Sequence, residues 1–247
     1  MTNLILVTGG TGRLGRVLVP RILSDGHAVR VLSRKAPSDE QTWRGDLLTG
    51  EGLKEAVDGV GVIVHCATGN GRADIAGTRN LIQTAMRAGR PHLMYVSIVG
   101  VGQVDTAYYR AKLACEQLVE RSALPWTIQR TTQFHELIVW MCTSQRWLPM
   151  IVMPSGVSFQ PVDAGEVAAR LVTLAGAPPA GRSPDMGGPE VRLAADLARA
   201  YTRSRPSRRP VVSVPMPGVG IRGYREGGHL TPEHADGRIT FEQFLAA

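Results

Sequence analysis

The chain has 247 residues, 43% of them hydrophobic, and its 28 basic and 21 acidic residues give a net charge of +7. No apolar run approaches the length of a membrane span and the arginines are spread along the chain, so we expect a globular protein that binds neither membrane nor nucleic acid. Three cysteines without metal-ligand spacing indicate reduced thiols in a cytoplasmic protein, with no disulfide framework and no metal site.

The first half of the chain alternates short β-branched runs with helical patterns. This rhythm predicts βαβ units and a parallel sheet buried on both faces. The predicted strands are Asn3 to Val7, Ala28 to Leu32, Trp43 to Asp46, Val60 to Cys66, Leu93 to Ile98 and Trp126 to Arg130. The predicted helices are Gly12 to Ser24, Gly50 to Val57, Asp74 to Ala88 and Thr106 to Ser122.

After about residue 131 the rhythm loosens. We predict a helix over Phe134 to Arg146, a strand pair over Met150 to Pro161, a helix over Ala164 to Leu174, and loops in most of the last third. The fold class is therefore α/β, a Rossmann-type doubly wound parallel sheet with a small loop-rich C-terminal substrate-binding region. We expect one domain over residues 1–247, with a dinucleotide-binding core over 1–130 and a mostly substrate-side lobe, including returning core elements, over 131–247.

A glycine-rich stretch follows the first predicted strand. Residues 10–15 read G-T-G-R-L-G and fit G-x-G-x-x-G, while Gly9, Gly12 and Gly15 fit the overlapping G-x-x-G-x-x-G. Between an apolar strand and an apolar helix, this pattern predicts a dinucleotide site. Glycines allow the pyrophosphate to approach closely, and amides at the helix N-terminus hold its charge. The alternative is a tight strand-to-helix turn without a ligand.

The type of dinucleotide depends on the end of the second predicted strand. An acid there favours NAD, and a base accommodates the phosphate of NADP. The chain has Ser33, Arg34 and Lys35 at this point, and no acid before Asp39. We therefore predict that these three residues bind the cofactor and that NADP(H) is preferred over NAD(H), with Arg13 reaching the same phosphate. The alternative is that Arg34 and Lys35 are solvated loop charges.

Tyr108 and Lys112 lie four residues apart, on one face of a predicted helix. A nearby ammonium stabilises a phenolate and lowers the pKa of the phenol toward a value useful for proton transfer. Ser97, at the end of the fifth predicted strand, is placed to hold the same substrate oxygen. We predict these three residues as the catalytic set; the alternative is that Tyr108 packs as an ordinary helix residue and Tyr109 is the exposed ring.

Together these motifs resemble those of the short-chain dehydrogenase/reductase superfamily, most closely its atypical branch related to NmrA and to NAD(P)H-binding quinone and isoflavone-type reductases. The resemblance extends over nearly the whole chain. It rests on Thr8 to Gly15, Gly45 to Leu47, His65 to Thr68, Tyr95 to Gly100, Tyr108 to Lys112, Pro125 to Arg130, Gln133 to His135, Gln160 to Asp163 and Gly187 to Glu190.

The resemblance also implies roles for individual residues along the cofactor. The pyrophosphate contacts would be Gly9, Thr11, Gly12, Arg13, Leu14 and Gly15, and the adenosine-phosphate contact would be Arg34. Asp46 and Leu47 would bind the adenine, Ala67 and Thr68 would line the groove, Lys112 would bind the nicotinamide ribose, and Thr131, Gln133 and Phe134 would lie near the nicotinamide or the substrate.

The function predicted from these features is an NADPH-dependent oxidoreductase that acts on a carbonyl, quinone or conjugated alkene of a small organic molecule. Trp140 is predicted to form an apolar wall for a flat substrate, with core packing as the equal alternative. Two other functions stay open: a non-catalytic NADP(H)-sensing regulator of the NmrA type, and an isomerase or epimerase that uses the cofactor transiently. We expect a monomer or a homodimer.

Overall fold

The computed structural model describes residues 4–36, 40–69, 71–205 and 209–247. Asn3 and Asp39, which entered the sequence predictions, lie outside these residues. The chain divides into two compact units. The first unit comprises Met1–Ser97, Ala107–Arg130 and Gly165–Pro184, and the second comprises Ile98–Thr106, Thr131–Ala164 and Asp185–Ala247.

The elements of the first half follow the predicted alternation of strand and helix. In chain order they are β1 (Leu4–Thr8), α1 (Arg13–Ser24), β2 (Ala28–Ser33), β3 (Thr42–Arg44), α2 (Leu53–Val57), β4 (Val62–His65), α3 (Arg72–Arg87), β5 (His92–Ile98), α4 (Ala107–Glu120) and β6 (Trp126–Thr131).

The elements of the second half are shorter. They are α5 (His135–Thr143), β7 (Ile151–Pro154), β8 (Ser158–Phe159), α6 (Ala164–Ala175), β9 (Gly181–Arg182), β10 (Arg192–Leu193), α7 (Ala194–Arg203), β11 (Val211–Val214), α8 (Val219–Arg225), a 3-10 turn (Pro232–His234) and α9 (Phe241–Ala246). No helix among the described residues is long and apolar enough to cross a bilayer.

The first unit contains a seven-stranded parallel sheet in the order β3-β2-β1-β4-β5-β6-β9. The first six positions follow the strand order of dinucleotide-binding Rossmann folds. The predicted fold class is therefore confirmed, and the sheet has one short strand, β9, that the sequence did not predict. Helices α2, α3 and α4 cover one face, where Leu53, Leu81 and Cys115 pack against Leu6 and Ile63 of the strands. Helix α1 lies against β1 and β2.

A buried ion pair joins α4 to the strands at one side of this sheet. Glu116 is fully buried and receives two hydrogen bonds from Arg130 of β6, at 2.8 and 2.6 Å. Arg182 of β9 donates a third, at 2.9 Å, and also pairs with Glu120 at 2.5 Å. Burial by itself raises the pKa of Glu116, but the hydrogen bonds from Arg130 and Arg182, with a contribution from the nearby Ser97 hydroxyl, reverse this shift and hold the pKa below its ordinary value.

The second unit has its own core and two small sheets. Strand β7 pairs in parallel with β11, and β8 pairs antiparallel with β10. The predicted strand pair over Met150 to Pro161 is therefore wrong in its pairing, because each strand finds its partner far along the chain. The prediction of loops in the last third also missed α7, whose alanines and Leu197 pack against α5 and β7.

A single glutamine connects three segments of the second unit. The side chain of Gln160 is fully buried, and its Oε1 accepts a hydrogen bond from the Thr231 amide at 2.8 Å. Its Nε2 donates to the carbonyls of Gly188 and Thr231, at 2.9 and 3.1 Å. The Gln160 carbonyl accepts a hydrogen bond from the Thr132 hydroxyl at 2.5 Å. Both ends of the buried amide are thus satisfied, as burial requires.

Removal of the buried carboxylate tests the ion pair. We expect Glu116→Ala to lower the free energy of unfolding by about 3–5 kcal/mol, because it leaves the Arg130 guanidinium without its buried partner. Urea unfolding at neutral pH measures this loss. The matched control is Glu120→Ala, which breaks a more exposed pair to the same Arg182 and should cost about 1 kcal/mol or less. Equal losses in the two variants would contradict the structural role assigned to Glu116.

Candidate functional site

The carboxyl ends of the central strands meet at one edge of the sheet. Thr8, the last residue of β1, is in register with Leu32 of β2 and with His65, the last residue of β4. The segments that leave these strands therefore begin side by side. This edge is where ligands bind in open α/β sheets, and it carries the predicted residues that follow β1, β2 and β4.

Close contacts explain why the turn after β1 is built from glycine. Gly9 has a φ of +72°, and a Cβ on it would lie 2.7 Å from the Ala67 backbone that follows β4. A Cβ on Gly15 would overlap the Gly9 carbonyl and the backbone of Gly10. These two glycines are required for the strand-to-helix turn itself, whether or not a ligand is present.

The next part of the turn faces outward. Thr11, Gly12 and Arg13 are exposed, and a Cβ on Gly12 would meet only the Gly9 carbonyl, at 3.1 Å. The N-cap of helix α1 is Gly12, which has no side chain to accept hydrogen bonds from the first amides of the helix, and the first turn contains no acid. The amides of that turn are therefore available to an anion, and the positive end of the helix dipole favours one. This arrangement fits a pyrophosphate.

Two arginines near this edge have no partner among the residues that the structure describes. Arg13 begins α1 and Arg34 follows β2; both are exposed, and neither side chain has a hydrogen bond or ion pair with any residue that the structure describes. The Ser33 hydroxyl accepts a hydrogen bond from the Lys35 amide at 3.1 Å, which shapes the backbone around Arg34. Guanidinium groups that no described residue neutralises are suitable partners for a phosphate.

The loop after β3 contains the residues predicted for the adenine. Asp46 Oδ1 accepts a hydrogen bond from the Leu48 amide at 2.8 Å, so this carboxylate shapes its own turn. Asn80 of α3 donates to the carbonyls of Leu47 and Leu48, both at 2.9 Å. The loop is held against α3, and the roles of Asp46 and Leu47 toward adenine stay predictions.

A buried chain of hydrogen bonds runs under the glycine turn. His65 Nδ1 lies 2.6 Å from the Thr8 hydroxyl, and its Nε2 lies 3.0 Å from the Thr78 hydroxyl, which donates to Cys115 Sγ at 3.4 Å. Burial, with a smaller contribution from the Lys112 charge, lowers the pKa of His65 to about 3. His65 is therefore neutral at physiological pH and serves to connect β1, β4 and α3.

Lys112 is the main charged group beneath this edge. It is only 4% exposed, and its Nζ donates a hydrogen bond to the Val96 carbonyl at 3.0 Å. The same nitrogen lies 4.9 Å from the ring centre of Tyr95 and 5.9 Å from that of Tyr108. Burial lowers the pKa of Lys112, and the Asp74 carboxylate contributes most to opposing this shift.

The two adjacent tyrosines have different surroundings. The Tyr109 ring is 1% exposed and belongs to the core, whereas the Tyr108 ring is 37% exposed and lies near Lys112. The alternative in which Tyr109 is the exposed ring is therefore wrong. Ser97 is 4% exposed, and its hydroxyl lies close enough to Glu116 to help lower the pKa of that carboxyl. The structure thus brings Ser97, Tyr108 and Lys112 to the interface of β5 and α4.

The other predicted contacts belong to the second unit. Thr131 and Gln133 are buried, and Thr131 forms a bridge with Met186. Phe134 is half-buried at the start of α5 and forms a bridge with Val162. Trp140 of α5 is 54% exposed, so its indole is not part of the core. The binding roles of these four residues stay predictions.

A family of proteins described as NAD(P)H-binding matches residues 9–136, more than half of the chain. The chain belongs to this NAD(P)H-binding family. The matched segment runs from the glycine turn to the start of α5 and includes Arg34, Tyr108 and Lys112. Family membership confirms the NAD(P)H-binding character that the resemblance implies, and the available amides after β1 agree with it.

Individual relatives of this NAD(P)H-binding protein differ in length. It is 29% identical over 225 residues to (4-alkanoyl-5-oxo-2,5-dihydrofuran-3-yl)methyl phosphate reductase of Streptomyces griseus, covering 83% of this chain and 76% of that one. It is 34% identical over 107 residues to bovine sterol-4-alpha-carboxylate 3-dehydrogenase, decarboxylating, covering 38% of this chain and 30% of that one. The chain thus spans less than a third of the length of some curated relatives, down to 12%.

The fold is shared with a solved NADPH complex. The structure of the NADPH-dependent quinone oxidoreductase QOR2 from Escherichia coli matches with a TM-score of 0.83 over 98% of both chains, at 15% identity. Identity at this level establishes the common fold alone.

Two residues of this region escaped the sequence analysis. Asp74 accepts hydrogen bonds from the Thr68 hydroxyl at 3.2 Å and from the Gly69 amide, so it fixes the segment after β4. Glu116 neutralises Arg130 and Arg182 one helical turn beyond Lys112. The only sequence signal for Glu116 is its spacing of four residues from Lys112. Nothing in the sequence indicates the role of Asp74.

The neutral histidine predicts a pH-dependent stability. Because the pKa of His65 falls from 6.5 to about 3 on folding, the unfolded chain binds a proton between these values that the folded chain does not. The free energy of unfolding therefore falls as pH is lowered through this window, by up to about 1.4 kcal/mol per pH unit. We expect His65→Asn to flatten the curve of unfolding free energy against pH between about pH 6 and about pH 4.

The matched control is His234→Asn, which removes a histidine outside this network. Denaturant titrations at a series of pH values measure the slopes. Parallel curves for the wild-type chain and His65→Asn would show that His65 is not the group responsible.

Proposed function

We propose that this chain is an NADPH-dependent oxidoreductase that reduces a carbonyl, a quinone or a conjugated alkene in a small organic molecule. The observation that carries the proposal is the pair formed by Tyr108 and Lys112 in a dinucleotide-binding fold. A partly exposed phenol lies near a buried ammonium, 5.9 Å from the ring centre to Nζ. A regulator that only binds the dinucleotide has no need of a polarised phenol.

The names of two similar proteins support the choice of a reductase and of a conjugated substrate in this proposal. The name of the Streptomyces griseus relative describes a lactone whose ring double bond is conjugated with carbonyl groups, and that relative aligns with 83% of this chain. The Escherichia coli protein that shares the fold is a quinone oxidoreductase, and a quinone also contains alkenes conjugated with carbonyls. Both names favour a conjugated, electron-poor acceptor over an isolated alcohol or sugar.

Lys112 and Tyr108 have separate tasks in this proposal. An ammonium has three N–H groups, and the Val96 carbonyl accepts one of them. The other two N–H groups would donate hydrogen bonds to the hydroxyls of the nicotinamide ribose. The positive charge of Lys112 also stabilises the phenolate of Tyr108, which makes that phenol a better proton donor to the substrate. When bound, the dinucleotide supplies the electron pair as hydride.

The preference for NADPH rests on the arginines beside the glycine turn. Arg34 follows β2, where the ribose of the adenosine half is held in this fold, and it has no partner among the described residues. Its fork of donors suits bidentate contact with a phosphate, and Arg13 supplies a second positive charge. No described residue next to Arg34 offers a carboxylate to a ribose hydroxyl in its place.

Cofactor choice can be measured with a single substitution. We expect Arg34→Ala to weaken NADPH binding about 10- to 100-fold, the loss typical of hydrogen bonds to a charged group, and to leave NADH binding nearly unchanged. Fluorescence titration with both nucleotides gives the two dissociation constants. Arg87→Ala, which removes an exposed arginine from the last turn of α3, controls for net charge. Equal losses of affinity for NADPH and NADH would show that Arg34 does not bind the adenosine phosphate.

The catalytic role of Tyr108 predicts a loss confined to turnover. We expect Tyr108→Phe to lower kcat by about 10²- to 10⁴-fold, because a general acid is lost, while the affinity for NADPH is kept. Oxidation of NADPH with a panel of aldehydes, quinones and enones measures kcat. Tyr109→Phe is the matched control, since its ring lies in the core.

Ser97→Ala separates two roles of that hydroxyl in the same assay. If Ser97 holds the substrate oxygen, kcat/KM falls at unchanged stability. If it serves only Glu116, the free energy of unfolding falls and kcat/KM stays constant.

Two results distinguish the remaining functions. Tight NADPH binding without turnover of any acceptor, together with no effect of Tyr108→Phe on any readout, would replace the enzyme with a dinucleotide-sensing regulator. Product formation without net consumption of NADPH would indicate an isomerase or epimerase.

A further inference from the structure

The segment that follows β4 is attached to the first turn of α3 by one carboxylate. Asp74 Oδ2 accepts a hydrogen bond from the Thr68 hydroxyl at 3.2 Å, and its Oδ1 accepts one from the Gly69 amide. Thr68 and Gly69 are exposed, whereas Asp74 is half-buried behind them. The Asp74 carboxylate thus lies on the buried side of the Thr68–Gly69 segment. The family resemblance implies that Thr68 lines the cofactor groove.

Asp74 also lies on the helix that packs against the one carrying Lys112. Thr78, one turn after Asp74 on α3, donates a hydrogen bond to Cys115 Sγ at 3.4 Å, and Cys115 follows Lys112 by three residues on α4, so the first turn of α3 runs beside the turn of α4 that carries Lys112. The groups that act on this ammonium come from four elements: His65 and Cys66 from β4 and its end, Asp74 from α3, Tyr95 from β5, and Tyr108, Cys115 and Glu116 from α4. Burial raises the pKa of the Cys66 thiol to about 12, so that group is neutral. Glu116 is committed to Arg130 and Arg182.

Asp74 is therefore the carboxylate of this set that forms no ion pair with an arginine among the residues that the structure describes. A buried ammonium without a counter-charge loses its proton readily, because burial favours the neutral amine. Among the groups that oppose this tendency for Lys112, Asp74 contributes most. A neutral amine at this position would have fewer donors and no charge with which to stabilise the Tyr108 phenolate.

We propose that Asp74 is a positioning residue, which fastens the Thr68–Gly69 segment to α3 and supplies the counter-charge that keeps Lys112 an ammonium. The inference rests on the proposed function, because it is in that function that Lys112 donates to the ribose and stabilises the Tyr108 phenolate. It adds a residue that acts on the site through Lys112 and through the segment after β4, with no direct contact to the reacting atoms.

The low lysine content makes the protonation of Lys112 directly observable. Lys35, Lys54 and Lys112 are the three lysines of the chain, and the first two are exposed. The Cε resonances of isotopically labelled lysine, followed by NMR against pH in the full chain, therefore give three titrations. Lys35→Arg and Lys54→Arg assign them. This measurement needs no cofactor and no turnover.

We expect Asp74→Asn to lower the titration midpoint of Lys112 by about one pH unit, because an opposite charge is removed while a side-chain oxygen remains for the Gly69 amide. The midpoints of Lys35 and Lys54 should not move. Asp74→Glu, which restores the charge, should return the Lys112 midpoint toward the wild-type value. Glu55→Gln, on the exposed side of α2, is the control for net charge and should leave all three midpoints unchanged.

The functional consequence is read from NADPH affinity against pH. In Asp74→Asn the loss of affinity at alkaline pH should begin about one pH unit lower than in the wild-type chain, in step with the Lys112 midpoint. Unchanged Lys112 midpoints in Asp74→Asn would overturn the proposal. If Asp74→Asn lowers the midpoint but the wild-type chain does not bind NADPH at any pH, the counter-charge is upheld and the proposed function fails by itself.

Discussion

The parallel register of β1 between β2 and β4 is the constraint on which the rest of the first unit depends. Ile5, Leu6 and Val7 are completely buried, because the strand has a neighbour on each side and helices over the sheet. Both neighbours are in register with Thr8, so three segments leave the sheet at the same height. The glycine turn, Arg34 and the segment after His65 are adjacent as a result of this pairing.

Helix α4 carries two buried residues of opposite charge, Glu116 and Lys112, and they differ in how fully protein groups pair with them. Glu116 has two arginines as partners and is satisfied within the protein. Lys112, one turn earlier, donates one hydrogen bond to a carbonyl and has two aromatic rings near it, with the Asp74 carboxylate as its main opposing charge. A buried charge that is fully paired contributes to structure, whereas one whose donors are only partly used has capacity for a ligand. This difference, more than the burial of either residue, marks where a cofactor is expected.

The sequence predicted the first six strands and the helices between them because buried parallel strands are apolar runs separated by glycine and proline. It failed where pairing depends on distant partners. Ser155 and Gly156 gave the signal of a hairpin, but β7 and β8 pair with β11 and β10. Helix α7 was missed because prolines surround it and its buried face consists mostly of alanine. The roles of the site residues, the cytoplasmic location and the oligomeric state stay predictions.

The candidate site shows the same division. Tyr108 and Lys112 were found because four residues make one helical turn, which is a local property. The counter-charges of Lys112 and Arg130 were not, because Asp74 and Glu116 acquire their partners only when separate elements pack. Sequence patterns thus identified groups that project from one element, and the structure was needed to show how neighbouring elements set their charge.

The buried amide of Gln160 also determines when the second unit can be completed during synthesis. Its partner Thr231 lies 71 residues later. In the first unit, β1 and β2 pair across a much shorter loop, so that part of the sheet can form while the chain is still being made. In the second unit the side-chain amide of Gln160 cannot form its hydrogen bonds with Thr231 until residue 231 has left the ribosome. Until then the apolar residues of this core lack part of their cover, which is the condition under which partly folded chains aggregate.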